Sequence, residues 1–429
     1  MDLAHEAPVA SDSAPAPATT PVPTPASAPA SVPDQHTHVL DIAGQLVPDL
    51  VLFRRDLHAN PELSRAEFRT TAAIAARLEH AGLRPRVRSL GSGLVCDVVP
   101  RGFEKLPFLA LRADLDALPI EEDNDLEFRS RVPGVMHACG HDIHTAVVLG
   151  AGLVLAELAR AGRLRRPVRL IFQPAEEAMP GGALDMVAEG ALYGVSKILS
   201  VHCDPRMDVG LVGLRTGPLT AACDMVSLTL DGPGGHTSRP HLTADLVYAL
   251  ASIVAEVPAA LSRRIDPRAG LSLVWGHIAA GNAANAIPST GTARGTIRTL
   301  DQDAWNQAPD VIHELVDAIT AKFGVKHTLD YVQGVPPVVN EAESVALLRT
   351  AASRALGAEA VVSTPQSLGG EDFAWYLQRV PGAMARLGVR TPGDKAVRDL
   401  HQGTFLADEG AIGVGVRMLA TAALVDWAG

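Results

Sequence analysis

Cysteine is scarce in this 429-residue sequence: Cys96, Cys139, Cys203 and Cys223 are too few and too unevenly spaced for a disulfide framework. Reduced thiols and a cytoplasmic location are the expectation. Basic charge is short too, with 37 Lys and Arg against 48 Asp and Glu and a formal charge of −11. That balance leaves no cationic surplus for a phosphate backbone or an anionic membrane, so neither nucleic acid nor a membrane is an expected partner. The N-terminus lacks the positive start and apolar stretch of a signal peptide. No segment offers the roughly 20 uninterrupted apolar residues of a membrane span. Aromatics make up only 4% of the chain, which gives no handle on pocket shape.

What the chain does have is length and apolar content. At 429 residues and 47% hydrophobic it exceeds what one core normally serves, and two domains are expected. Residues 1–36 alternate Ala, Pro, Ser and Thr and bury too little to offset ordering entropy, which predicts a disordered tail. Apolar residues then recur every three or four positions over 39–57 and 67–81, the pattern of two helices parted by the turn signal Asn60-Pro61. Four short apolar runs follow: LVCDVVP from Leu94, FLALRAD ending at Asp114, VRLIFQP ending at Pro174 and KILSVH ending at His202. Helical stretches separate the later runs. This alternation predicts an α/β fold with a mostly parallel sheet covered on both faces. After Gly217 the order becomes β-α-β-β-α-β, a ferredoxin-like arrangement. A main domain over 37–216 and 333–429, interrupted by a second over 217–332, is therefore expected.

Residues that bind metals or move protons fall where three predicted strands end, the edge at which open α/β sheets take ligands. FLALRAD ends on Asp114 with Asp116 two residues on, VRLIFQP runs into Glu176 and Glu177, and KILSVH ends on His202. The stretch MHACGHDIH, Met136 to His144, adds three histidines, a cysteine and an aspartate in the loop before a helix. Singly, each has a plainer explanation. A carboxylate after a strand is often a helix cap, paired glutamates mark a solvated surface, and a histidine or cysteine belongs to the core. Their conjunction at one sheet edge predicts a metal site built from several loops.

The segments LRADLDALPI, MHACGHDIHTA, IFQPAEEAMPGGA, GPGGHTSRPH, NAIPSTGTARGTIR and LHQGTF together resemble the motif set of a family of metal-dependent amidohydrolases. That family includes bacterial hippurate hydrolase, aminoacylases and plant indole-acetyl-amino-acid hydrolases. The resemblance runs from about Val39 to the C-terminus. It implies Cys139, His141, Glu177, His202 and His401 as ligands to a pair of divalent ions, with Glu176 as general base. It also implies that residues 217–332 form a lid and that the chain is a homodimer. His236 is similar to a catalytic lid histidine that reaches the neighbouring subunit's site, and Asn285 and Arg298 to lid residues that hold the substrate carboxylate. The wider superfamily, with its carboxypeptidases and dipeptidases, presents His-x-Asp after the second motif strand. Here Arg112-Ala113-Asp114 stands there, which leaves Asp114 to orient a ligand imidazole.

The implied reaction is hydrolysis of the amide bond of N-acyl-amino acids or of short peptides with a free carboxylate. Alternatives are dipeptidase or carboxypeptidase activity, an amidase with Cys139 as nucleophile, and a non-catalytic metal-binding or amino-acid-binding protein. An amide carbon is a poor electrophile and neutral water a poor nucleophile; paired divalent ions correct both. Thiolate and imidazole donors suit Zn²⁺, Co²⁺ or Ni²⁺, whereas Mn²⁺, frequent in similar enzymes, prefers harder ones. Glu176, crowded by other carboxylates and partly desolvated, is expected to have the raised pKa that suits a proton shuttle. His137, Asp142 and His144 are expected to support the site, Cys203 to pack, and Gly369 to Asp372 to start a helix.

Overall fold

Strands buried on both faces need apolar residues at nearly every position, and the sequence supplies such runs where the central sheet forms. The computed structural model describes residues 35–396 and 398–426. The predicted tail lies outside them except at Gln35 and His36, which already begin the first helix. In chain order, α1 (Gln35–Ala59) and α2 (Phe68–His80) precede β1 (Arg86–Val87), β2 (Leu94–Val98) and β3 (Phe108–Asp114). Next come α3 (His141–Arg160), β4 (Val168–Gln173), α4 (Ala183–Ala188), β5 (Val195–Asp208), β6 (Val212–Leu214) and β7 (Gly217–Thr220). A second group follows: β8 (Cys223–Asp231), β9 (Gly235–His236), α5 (Leu246–Arg264), β10 (Ser272–Ala280), β11 (Ala286–Ile287), β12 (Thr290–Arg298), α6 (Gln302–Phe323) and β13 (Lys326–Val335). The chain closes through β14 (Val338–Asn340), α7 (Ala342–Leu356), β15 (Val361–Ser363), α8 (Ala374–Leu377), β16 (Gly382–Arg390) and α9 (Gly410–Ala422).

The main sheet has eight strands in the order β1-β2-β4-β3-β5-β16-β6-β15. Its centre, β4-β3-β5-β16, is parallel, but β1–β2, β2–β4 and β16–β6 pair antiparallel. The sheet is thus mixed, with four of its seven pairings parallel, β6–β15 among them, and three antiparallel. Loop length reverses β6: only Val209 to Leu211 link it to β5, too few for a parallel crossover. On one face α1, α2, α3 and α9 bury Leu57, Ile74, Val147, Leu155 and Val416 against Leu111 and Leu170. On the other, Ile171, Ile198 and Met384 meet Phe373 and Tyr376 around α4 and α8.

β5 also differs from expectation. It runs on to Asp208, still paired with β16 out to Arg390, so His202 sits inside the strand instead of ending it. The helix expected after Gly181 shrinks to the six residues of α4, and the run Gly369 to Asp372 precedes a helix of only four, α8.

Four strands in the order β10-β12-β8-β13, antiparallel throughout, form a second sheet. Along β8 burial alternates, as it must when one face is packed and the other is not. The packed face carries its own core, in which Val226, Leu228 and Ala293 meet Leu250, Ile253, Ile312 and Val316 of α5 and α6. Asp245 and Asp301 cap the two helices by accepting the N–H of Tyr248 and Ala304. By length and composition α3 and α5 could each cross a membrane, but 83% of the apolar window of α3 is buried within the protein.

Candidate metal centre

The stretch Met136 to His144 straddles the start of α3, and its turn is built on Gly140. That residue has φ +88, and a Cβ there would stand 2.7 Å from the sulfur of Cys203, so both the backbone shape and the close approach require glycine. The turn leaves Cys139 just outside the helix and His141 on its first residue. β4 ends at Gln173, and Ala175, at the left-handed φ of 56°, swings Glu176 and Glu177 toward them. His401, with φ 61°, arrives from the loop before α9. Two non-glycine residues in this rarely occupied region, both at one site, mark backbone held there by its surroundings.

Donor atoms of Cys139, His141 and His202 lie within 4.8 Å of one another, and so do those of Cys139, Glu177 and His401. The two groups share one sulfur. His141 Nε2 is buried without a hydrogen-bond partner, and so is Glu177 Oε1, although the latter is 3.2 Å from His401 Nε2. Orphaned ligand atoms of these types, gathered around a common sulfur, fit a pair of divalent cations. The second ring nitrogens are already committed. His141 Nδ1 donates to the Asp116 carbonyl at 2.9 Å, and His202 Nδ1 to that of Cys203 at 2.8 Å, so each Nε2 is left to face the cluster.

Burial, reinforced by Glu371 and Glu177, holds the Glu176 carboxyl well above the usual carboxylate range. Its Oε2 stands 3.8 Å from His141 Nε2. Burial also pushes the Cys139 thiol up, against the pull of His141 and His401. Close-lying Cys139 and Glu177 raise His401 to about 10, whereas burial, helped by Arg386 and His144, holds His202 well below the usual imidazole range.

The orienting carboxylate is not the expected one. Asp114 sits 3.9 Å from His141 Nδ1 but takes the Nδ1 proton of His144 at 2.7 Å, while His144 Nε2 accepts the Cys203 N–H. Both nitrogens of His144 are thereby occupied, and it serves as a strut. Asp116 does the orienting. Just past the end of β3, it lies 3.3 Å from His141 Nδ1 and accepts the backbone N–H groups of Glu176 at 3.1 Å and Glu177 at 3.0 Å. Glu67 of the α2 cap adds a third anchor by accepting the Ala175 N–H at 2.7 Å. The sequence places Asp116 at the strand end but assigns it no role, and gives no sign of Glu67, since nothing local distinguishes either from a solvated loop carboxylate.

A cavity of about 500 Å³ opens over the cluster, lined by Cys139, Glu176, Glu177, His202 and His401 together with Arg298, Glu371 and Arg386. A larger hollow of about 860 Å³ between α1, α2 and α3 contains none of the donor groups. His236 and Asn285 do not line the cavity of their own chain. They lie together where β9 pairs with β11, both exposed, with His236 Nδ1 taken up by Ser238. Behind Glu176, buried Arg112 answers Asp114, Asp372 and Glu371, while Asp142 binds Arg54 and His58 beneath α3.

Comparison with known proteins points the same way. The sequence profile described as Peptidase family M20/M25/M40 matches residues 110–424. An N-acetyl-L-cysteine deacetylase of Bacillus subtilis is 39% identical over 367 residues, 86% of this chain and 85% of that protein. A Rhodococcus jostii protein carrying a glutamate–cysteine ligase name is 49% identical over 370 residues, 86% of this chain but 46% of its own length, so the chain spans about half of that relative. Among solved structures, the Bacillus subtilis YXEP protein, described as a dinuclear metal-binding peptidase of the M20 family, superimposes with a TM-score of 0.77 at 33% identity. The alignment covers 89% of this chain and 98% of that one.

Proposed function

The chain belongs to peptidase family M20/M25/M40, and on that footing we propose that it hydrolyses the amide bond of N-acyl-amino acids or of short peptides with a free carboxylate. One observation carries the reading: two donor groups share the Cys139 sulfur while Glu176, a carboxylate outside that ligand set, stands beside them with its pKa raised. Cys139, His141, Glu177, His202 and His401 would hold the cations, which when bound acidify water and polarise the scissile carbonyl. Glu176 takes the proton of the attacking water and passes it to the departing nitrogen, a shuttle for which a raised carboxyl pKa is suited. Arg298, on the cavity wall, grips the substrate's α-carboxylate with its planar fork.

His236 and Asn285 find no place in their own cavity, which supports a role in the site of a second copy of the chain across a dimer of the 217–332 units. That arrangement makes those units lids. Zn²⁺ and Mn²⁺ are the leading candidates for the ions, with Co²⁺ and Ni²⁺ behind them. The name of the deacetylase relative supports a small acyl group on the substrate. A cysteine-nucleophile amidase is the weaker reading, because burial raises the Cys139 thiol and disfavours the thiolate that such a nucleophile needs.

The deciding experiment is Glu176→Gln in metal-reconstituted protein. Metal content should match wild type, while kcat falls by roughly 10²–10⁴, the usual share of a general base. A variant that keeps near-full turnover removes Glu176 from the mechanism.

A further inference from the structure

Four arginines are buried among the described residues: Arg54, Arg112, Arg169 and Arg386. Three of them are answered by carboxylates, Arg54 by Asp142, Arg112 by Asp114 and Arg169 by Asp97, each at 2.7 Å. Arg386 is not. Only 8% exposed, its guanidinium makes no hydrogen bond, ion pair or ring contact with any described residue. The carboxylates that act on it most, Asp204 and Glu371, do so from beyond ion-pair distance, and Glu371 Oε1 is already engaged by Arg112 and by the Phe373 N–H.

Its position follows from the strand. Ala383, Ala385 and Leu387 of β16 turn into the main core, so Arg386 takes the opposite face, in register beside His202 on β5. There it lines the cavity that holds Cys139, Glu176 and Arg298. Arginine does not shed its proton, and a buried guanidinium without an answering anion is costly to keep. The five N–H donors of its planar fork match a carboxylate.

We propose that Arg386 is a second anion-holding residue of this cavity, so that the preferred substrate carries a carboxylate beyond the one gripped by Arg298. This rests on the hydrolase reading above and narrows its substrate class to dicarboxylates. The additional group sits either on the released amino acid, as in an N-acyl-glutamate, or on the acyl half, as in an N-succinyl-amino acid.

The test compares N-acetylalanine, N-acetylglutamate and N-succinylalanine on metal-reconstituted full-length protein, scored by amino acid release. Wild type should favour one of the two dicarboxylates by about tenfold or more in kcat/KM, and whichever it favours tells where the second carboxylate lies. In Arg386→Met that preference ratio should fall roughly 100-fold, chiefly through KM, the scale of removing one partner of a buried charge pair. Arg386→Lys should fall in between. Absence of any dicarboxylate preference in wild type, or equal losses on all three substrates in Arg386→Met, overturns the proposal. Should Arg386→Met fail to fold, inhibition of wild type by succinate against acetate decides, and succinate inhibiting no better than acetate overturns it. If wild type turns over none of the three, the hydrolase reading itself fails. Calorimetric binding of the two dicarboxylates to wild type and Arg386→Lys then judges Arg386 alone, with equal affinities refuting it.

Discussion

Asp116→Asn tests how the site is held. The side chain is 1% exposed, and its two oxygens serve different partners. Oδ1 accepts the Glu176 N–H at 3.1 Å and lies 3.3 Å from His141 Nδ1; Oδ2 accepts the Glu177 N–H at 3.0 Å and the Ser64 hydroxyl at 2.7 Å. An asparagine keeps one oxygen and replaces the other with an NH₂ group. Whichever way the amide turns, donors meet donors on one side, and the negative charge that held both sides is gone. A hydrogen bond to a charged group contributes about 1.5–3 kcal/mol, so losing one outright and weakening the others should cost about 2–4 kcal/mol of stability. The two glutamates lose their common anchor, and His141 keeps the Asp116 backbone carbonyl but loses the carboxylate charge beside it, which should weaken metal binding by about 10–100-fold, as is usual when a partner behind a ligand is removed. Urea unfolding in the presence of chelator reads the first quantity and competition with a chromophoric chelator the second. A variant that matches wild type in both would show that Asp116 orients nothing and that the geometry of the pair arises elsewhere.

Metal removal comes next: dialysis against a chelator should abolish turnover, and returning divalent ion at 100 times its Kd should stabilise the fold by about 2.7 kcal/mol. Full activity after stripping would instead favour the Cys139 nucleophile. Gly182→Ala would put a Cβ 1.9 Å from the Pro174 carbonyl, directly behind the Glu176 turn. It should destabilise by about 1–3 kcal/mol, and an unchanged melting temperature would contradict the packing. For His58, burial and Arg54 oppose the charge, but hydrogen bonds to Asp142 and Glu122 prevail and raise its pKa. A histidine whose folded pKa exceeds the unfolded value of about 6.5 contributes stability that is complete below that pH and is lost as pH rises through the folded pKa. The gap between wild type and His58→Gln in urea midpoint should therefore be wider at pH 6 than at pH 9, and a pH-independent gap would count against a charged His58.

What could be read from the sequence, and what could not, follows one physical division. Cys139, His141, Glu176, Glu177 and His202 stand out by residue type, because few other uses call for a thiol, imidazoles and paired carboxylates beside predicted strand ends, whereas His401 and the division of the set into ligands and base follow only from the resemblance carried by LHQGTF and its companion motifs. Which carboxylate stands behind which imidazole is decided by a different quantity, the point at which a strand stops. The pleat of β3 ends at Asp114, so Asp116 leaves the two-residue alternation and turns under His141, while Asp114 stays in register and meets His144. Strand direction was hidden for a similar reason: apolar runs look alike whichever way they point, and the short link from β5 is what turns β6 against β16. His236 and Asn285 carry a motif but no local cause to enter their own cavity, so nothing in the sequence pattern alone tells where they are used. Arg386 is the opposite case. It is one charge in the apolar run AMARLGV, and period-two patterning counts it as an interruption of a strand. Only the three-dimensional neighbourhood shows that the guanidinium, unlike Arg54, Arg112 and Arg169, is buried with no described residue to answer it. Local chemistry therefore points to the atoms proposed to hold the cations, whereas long-range pairing decides what positions them and what lines the cavity above them.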